Sequence, residues 1–112
     1  AAASTVYIGV GDSTNTSDTI GLLFTRPCRI TKMYASANGS PGASESFGYT
    51  VRKNNADTAL VCTTANTDRT SNDTTAGHAV TVAAGDRIEI KLTTSGSANV
   101  RSHHVTLEVQ MS

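Results

Sequence analysis

The side chains in this chain that can do chemistry are few and scattered. Three histidines are present, His78, His103 and His104. His103 and His104 are neighbours, and neighbours on a regular strand point to opposite faces. They therefore cannot both hold one metal ion, and the plain reading of all three is surface histidine. Cys28 and Cys62 lack C-x-x-C spacing, so neither a zinc nor a redox motif is indicated. They read as two free, half-buried thiols, with a disulfide between strands as the alternative. No nucleophile elbow and no family-specific cysteine context supports a Ser-His-Asp or Cys-His constellation. The chain is not expected to be an enzyme.

Oxygen-bearing clusters are equally plain. Asp12, Thr14, Thr16 and Asp18 place oxygens at alternate positions, as calcium loops do. The glycine of such a loop is missing, and Leu23 stands where its bidentate Glu belongs. Asp68, Asn72 and Asp73 form a second polar group. Both groups read as turns whose Asx, Ser and Thr side chains satisfy loop backbone. No metal and no cofactor is expected. Asn15-Thr16-Ser17, Asn38-Gly39-Ser40 and Asn72-Asp73-Thr74 match the glycosylation sequon. With 12 Ser and 18 Thr in the chain, matches by chance are expected. A carbohydrate site wants an exposed aromatic platform. Only Tyr7, Tyr34 and Tyr49 offer one, and Tyr49 reads as core.

Lys+Arg and Asp+Glu are both 9, so the formal net charge is zero. That balance gives no electrostatic case for nucleic acid or an anionic membrane. Arg26, Arg29 and Lys32, and also Arg52 and Lys53, read as solvated faces or partner contacts. No apolar run approaches the roughly 18 residues of a membrane span. Charge near zero also offers little protection against self-association.

Strands must position these residues. In Val80–Leu92, Val80 and Val82 flank Thr81, and Ile88, Ile90 and Leu92 alternate with Arg87, Glu89 and Lys91. A side-chain period of two means one dry and one wet face. Ala83-Ala84-Gly85-Asp86 between the runs reads as a tight turn. The same design recurs over 4–10, 19–25, 28–37, 45–53, 58–65 and 102–111, with 78–83 and 86–94 completing eight strands. Within 28–37 the apolar set changes face, which a bulge would reconcile. Asn66–Gly77 reads as a long loop. In 102–111, Val105, Leu107, Val109 and Met111 are expected to face inward.

Residues 1–112 therefore read as a single all-β domain, an eight-stranded antiparallel β-sandwich with a jelly roll as the leading topology. An immunoglobulin-like sandwich is the alternative. It usually packs a Trp on a Cys pair, and this chain has no Trp.

Tyr49-Thr50-Val51-Arg52-Lys53-Asn54, Asp57-Thr58-Ala59-Leu60, Val80-Thr81-Val82-Ala83-Ala84-Gly85-Asp86-Arg87-Ile88-Glu89-Ile90 and the alternating run to Met111 stand out together. These segments resemble small jelly-roll decoration (cement) proteins of tailed-bacteriophage capsids. Cys28-Arg29-Ile30-Thr31-Lys32-Met33, before a Gly/Pro turn, matches another strand of that family. The A-A-G-D turn also occurs in trimeric jelly rolls of the complement and tumour-necrosis-factor type. The resemblance implies a virion structural protein on the capsid surface, a homo-trimer that binds the major capsid protein. The residues expected to bind the partner are an N-terminal arm, Ala1, Ala2, Ala3, Ser4 and Thr5, and the loops around Arg69 and Arg101. The alternative is a trimeric receptor- or glycan-binding head of a phage fibre or tail.

Overall fold

A computed structural model describes residues 4–8, 14–15, 22–99 and 101–111. Its strands are β1 (Ser4–Ile8), β2 (Thr14–Asn15), β3 (Leu22–Leu23), β4 (Cys28–Ala37) and β5 (Gly42–Lys53). They continue as β6 (Ala56–Asn66), β7 (Thr70–Asp73), β8 (Val80–Val82), β9 (Arg87–Thr94) and β10 (His103–Met111). Among the described residues the one helical element is a single 3-10 turn, Ala76–His78. All pairing is antiparallel. One sheet runs β2-β1-β9-β5-β6, with β3 also on β9. The other runs β10-β4-β7, with β8 also on β4.

The two sheets share one core. Phe47, Tyr49, Val51, Leu60, Cys62, Ile88, Ile90 and Leu92 come from the first sheet. Cys28, Ile30, Met33, Ala35, Val80 and Val82 come from the second. Burying each large aliphatic or aromatic side chain stabilises the fold by about 1.5–3 kcal/mol. Cys28 and Cys62 lie on opposite sheets, buried and free.

The expected change of face in 28–37 is present. Cys28 and Ile30 are buried, and then Met33 and Ala35. The phase shifts where β10 slips in register, with Glu108 opposite Lys32 and Val109 opposite Ile30, so that Thr31 is left over. This extra residue is a bulge in the pairing, and it turns Tyr34 to solvent. Asn54 and Asn55 have φ of 51° and 68° and join Lys53 to Ala56. Asparagine tolerates the left-handed region that this two-residue hairpin requires. Asn54 also donates to Asp86 Oδ1 (2.9 Å) and accepts from Arg87 N–H (2.9 Å), tying this hairpin to the turn before β9.

Some expectations are corrected. Val80–Val82 and Arg87–Thr94 are strands joined by a tight turn, but they do not pair with each other. β8 pairs with β4 and β9 with β5, so the turn crosses between sheets. Both strands still show their apolar face to the same core. Asn66–Gly77 is no structureless loop, since it contains β7 and most of the 3-10 turn. His78 and Ala79 lie outside any strand. Of the strand expected over 19–25, only Leu22–Leu23 is a strand among the described residues, and both leucines are exposed. Val109 and Met111 are 38% and 52% exposed, although Val105 and Leu107 do pack on the core.

Candidate functional site

Three connections meet at one end of the sheets, over 38–41, 67–69 and 95–102. Backbone bonds knit them. Ala37 N–H donates to Arg69 O (2.9 Å), Asn38 N–H to Ser102 O (3.1 Å) and Asn99 N–H to Pro41 O (2.8 Å). Side chains reinforce them. Ser102 N–H donates to Asn38 Oδ1 (3.0 Å), Arg101 Nε to Ser40 O (3.0 Å) and Asn99 Nδ2 to Ser40 O (3.3 Å). Glu45 Oε1 accepts from Ser97 N–H (2.8 Å) and the Ser95 hydroxyl (2.9 Å). Ala98 is fully enclosed beneath them. The Arg101 guanidinium lies over Gly39, where a Cβ would stand 2.5 Å from its Nε. A glycine is what lets the turn pass so close.

This end carries two of the residues expected to bind a partner, Arg69 and Arg101, both exposed. Ser4 also comes here, because it pairs with Thr94, the residue before the 95–102 connection. Thr5 is one step along, paired with Thr93. Ser4 and Thr5 are therefore sheet residues and not part of a free arm. Ala1, Ala2 and Ala3 lie outside the described residues.

The histidines divide. His104 is exposed, while His103 is half-buried and is no surface residue. It shares a 2.7 Å hydrogen bond between Nδ1 and Tyr49 Oη and packs its ring edge-on to Phe47 at 4.6 Å. Burial lowers the His103 pKa below 6.5 and pushes the Tyr49 phenol up to about 12. His78 is tied to Asp73, whose Oδ2 accepts from His78 Nδ1 at 2.7 Å. Asp73 is buried and also accepts from Val61 N–H (3.1 Å) and Thr75 N–H (3.0 Å). Burial raises its pKa, but these hydrogen bonds outweigh that and hold it at about 2. Asp73 thus fastens β6, β7 and the 3-10 turn, beside the pairing of β7 with β4.

The remaining candidates do not gather. Asp12, Thr16 and Asp18 lie outside the described residues. Asp68 is exposed and Asp73 buried. No group of three metal-binding side chains occurs among the described residues. Lys32 stands 3.6 Å from Glu108, and Lys53 Nζ donates to Thr81 O at 3.0 Å. On the outer face of the first sheet, Asp57 accepts from Arg52 Nη1 and Lys91 Nζ, both at 2.6 Å. Glu89 is buried beside them, its Oε1 4.0 Å from Arg52 Nε. No sequence signal marks this buried charge, because Glu89 occupies an outward position of the alternation.

No protein family, curated protein or solved structure matches the chain.

Acid should lower the stability of the protein over two separate pH ranges. A folded-state His103 pKa below its ordinary 6.5 means that the unfolded chain binds the proton first. That contribution is present above 6.5 and is lost as pH falls below it. Asp73 contributes in the same sense between 3.8 and about 2, worth about 2 kcal/mol. Melting temperature measured against pH should fall through both ranges, and His103→Asn should remove the first. A wild-type profile flat between pH 7 and 5 would contradict the burial of His103.

Proposed function

We propose that this chain is a virion structural protein, a decoration (cement) protein that binds the outer surface of a bacteriophage capsid and stabilises the head. Its partner is the major capsid protein. The observation that carries the reading is the knitted loop end, a stiff platform bearing Arg69 and Arg101 with β1 starting beside it. A stiff platform loses little conformational entropy on docking. A module that binds only the assembled lattice raises lattice stability by mass action, about 2.7 kcal/mol at a hundredfold excess over Kd.

The strand orders support a jelly roll as the topology. β1-β9-β5-β6 and β10-β4-β7/β8 fill the positions of an eight-stranded jelly roll save the one beside β10.

A specific observation favours a second reading, a glycan- or receptor-binding head of a fibre or tail. Tyr34 is exposed on the outer face of β4 between Asn72 and Thr106, an aromatic with polar neighbours.

The test is co-sedimentation with empty capsids. Arg69→Ala together with Arg101→Ala should weaken binding at least tenfold and leave the circular dichroism spectrum unchanged. Undiminished binding by this variant would remove the loop end from the interface. Glycan binding that is lost in Tyr34→Ala, without capsid binding, would favour the second reading.

A further inference from the structure

A chain of side-chain hydrogen bonds runs through the interior beneath the loop end. It begins at His103, the first residue of β10, whose Nδ1 stands 2.7 Å from Tyr49 Oη on β5. The Thr64 hydroxyl on β6 also bonds the Tyr49 phenol. Thr64 Oγ1 in turn lies 2.8 Å from Ser71 Oγ on β7. Tyr49 and Thr64 have no exposed surface. The chain therefore crosses from the second sheet to the first and back again. Each of its ends lies two residues beyond an arginine of the loop end, His103 after Arg101 and Ser71 after Arg69. The backbone between is part of the knitting: Ser102 is bonded twice to Asn38, and Arg69 O accepts from Ala37 N–H.

We infer that this chain of bonds is a pH-sensitive latch: a proton taken up by His103 loosens the platform bearing Arg69 and Arg101, which holds its partner at neutral pH and releases it in mild acid. The neutral imidazole accepts at Nδ1 from the Tyr49 hydroxyl and carries its hydrogen on Nε2. The imidazolium has a hydrogen on both nitrogens and only donates. Tyr49 must then turn its hydrogen to Thr64, and Thr64 its own to Ser71, so the proton reverses every bond of the chain. The charge itself has little to hold it. His103 stands opposite Ala37 on β4 and meets Phe47 and Tyr49 on β5, none of them an anion. The charged groups of the surrounding elements are engaged elsewhere. Glu45 on β5 accepts from Ser95 and Ser97, Glu108 on β10 meets Thr31 and Lys32, Asp73 on β7 holds His78, and Arg101 donates to Ser40 O. Cys62, opposite Tyr49 on β6, is a thiol whose pKa burial raises. A half-buried charge without a partner is relieved by moving into water. Swinging the imidazolium outward draws Ser102 off Asn38 and opens the loop end. The loosening belongs to the fold; the release rests on the reading of the loop end as the capsid-binding face.

Hydrogen exchange on the wild-type chain tests the latch. From about pH 7 to about pH 5, the range in which histidine titrates, the protection factors of the Ala37, Asn38, Asn99 and Ser102 amides should fall at least tenfold. Those of the β5–β9 ladder should hold. The fall should share its midpoint with the His103 ring titration, followed by NMR on the same sample. His103→Asn should abolish the response, and Thr64→Val, which cuts the chain of bonds before β7, should spare Ala37. Co-sedimentation with empty capsids at both pH values should show at least tenfold weaker binding in acid for the wild type and no change for His103→Asn. Loop-end protection that ignores pH, or that responds in either variant as in the wild type, would overturn the latch. Loosening with no capsid binding at either pH would support the latch and overturn the capsid reading alone.

Discussion

Replacing Arg52 with Met is expected to destabilise the protein by about 3 kcal/mol, far more than a surface cation is worth. Arg52 sits at the end of β5, its side chain only 14% exposed. Its Nη1 donates to Asp57 Oδ1 at 2.6 Å, and its Nη2 donates to Asn55 O in the β5–β6 hairpin. Its Nε lies 4.0 Å from Glu89 Oε1. Glu89 is directly opposite on β9, and its carboxylate is 1% exposed. Neither of its oxygens has a hydrogen-bond partner among the described residues. Methionine would keep much of the volume and leave a buried carboxylate without the cation beside it. The cost of stranding a charge exceeds the net worth of the pair. Glu89→Gln in the Arg52→Met background should therefore recover a large part of the loss, since the amide needs no counter-charge. Urea denaturation of both single variants and the double variant measures this. A loss below 1 kcal/mol for Arg52→Met would show that Glu89 does not depend on it.

Phe47→Ala should cost about 3–5 kcal/mol. Phe47 has no exposed surface and stands on β5 between the β6 and β9 partners Thr64 and Thr94. Its ring meets His103 from the opposite sheet edge-on, so its removal opens a cavity and strips the imidazole of its packing. Phe47→Leu should lose less, because it leaves a smaller void. Val61→Ala on β6, where the side chain is 42% exposed, is the contrasting case and should change stability by no more than about 0.5 kcal/mol. Equal losses for Phe47→Ala and Val61→Ala would contradict the assignment of the core.

How far the sequence revealed this fold depends on the range of the information. β4 spans the expected 28–37, and its bulge was legible because the apolar set changes face within one run. Asn54-Asn55 falls between the expected strands 45–53 and 58–65, and the backbone freedom of asparagine suits the hairpin found there. The stretch from Val80 to Leu92 revealed both strands and the turn, but not that they belong to different sheets. Alternation specifies a dry face and is silent about the neighbour. β7 was illegible because Thr70-Ser71-Asn72-Asp73 has no apolar residue, and it is held by pairing with β4 and by the bonds that the buried Asp73 accepts. His103 reads as a surface residue in the sequence because its polar partner, Tyr49, lies on another sheet. Arg69 and Arg101 were singled out on separate loops, and only the fold places both at one end. Val109 and Met111 read as core by alternation. Both are exposed, and among the described residues no strand lies beyond β10 to cover them.

The central claim, that the chain binds an assembled capsid, is tested most directly by titrating the wild-type protein onto empty capsids and measuring both the amount pelleted and the capsid melting temperature. The account predicts saturable binding at a fixed number of copies per capsid, with a melting temperature that rises with occupancy. Protein that remains in the supernatant at every concentration, with capsid melting unchanged, would contradict it.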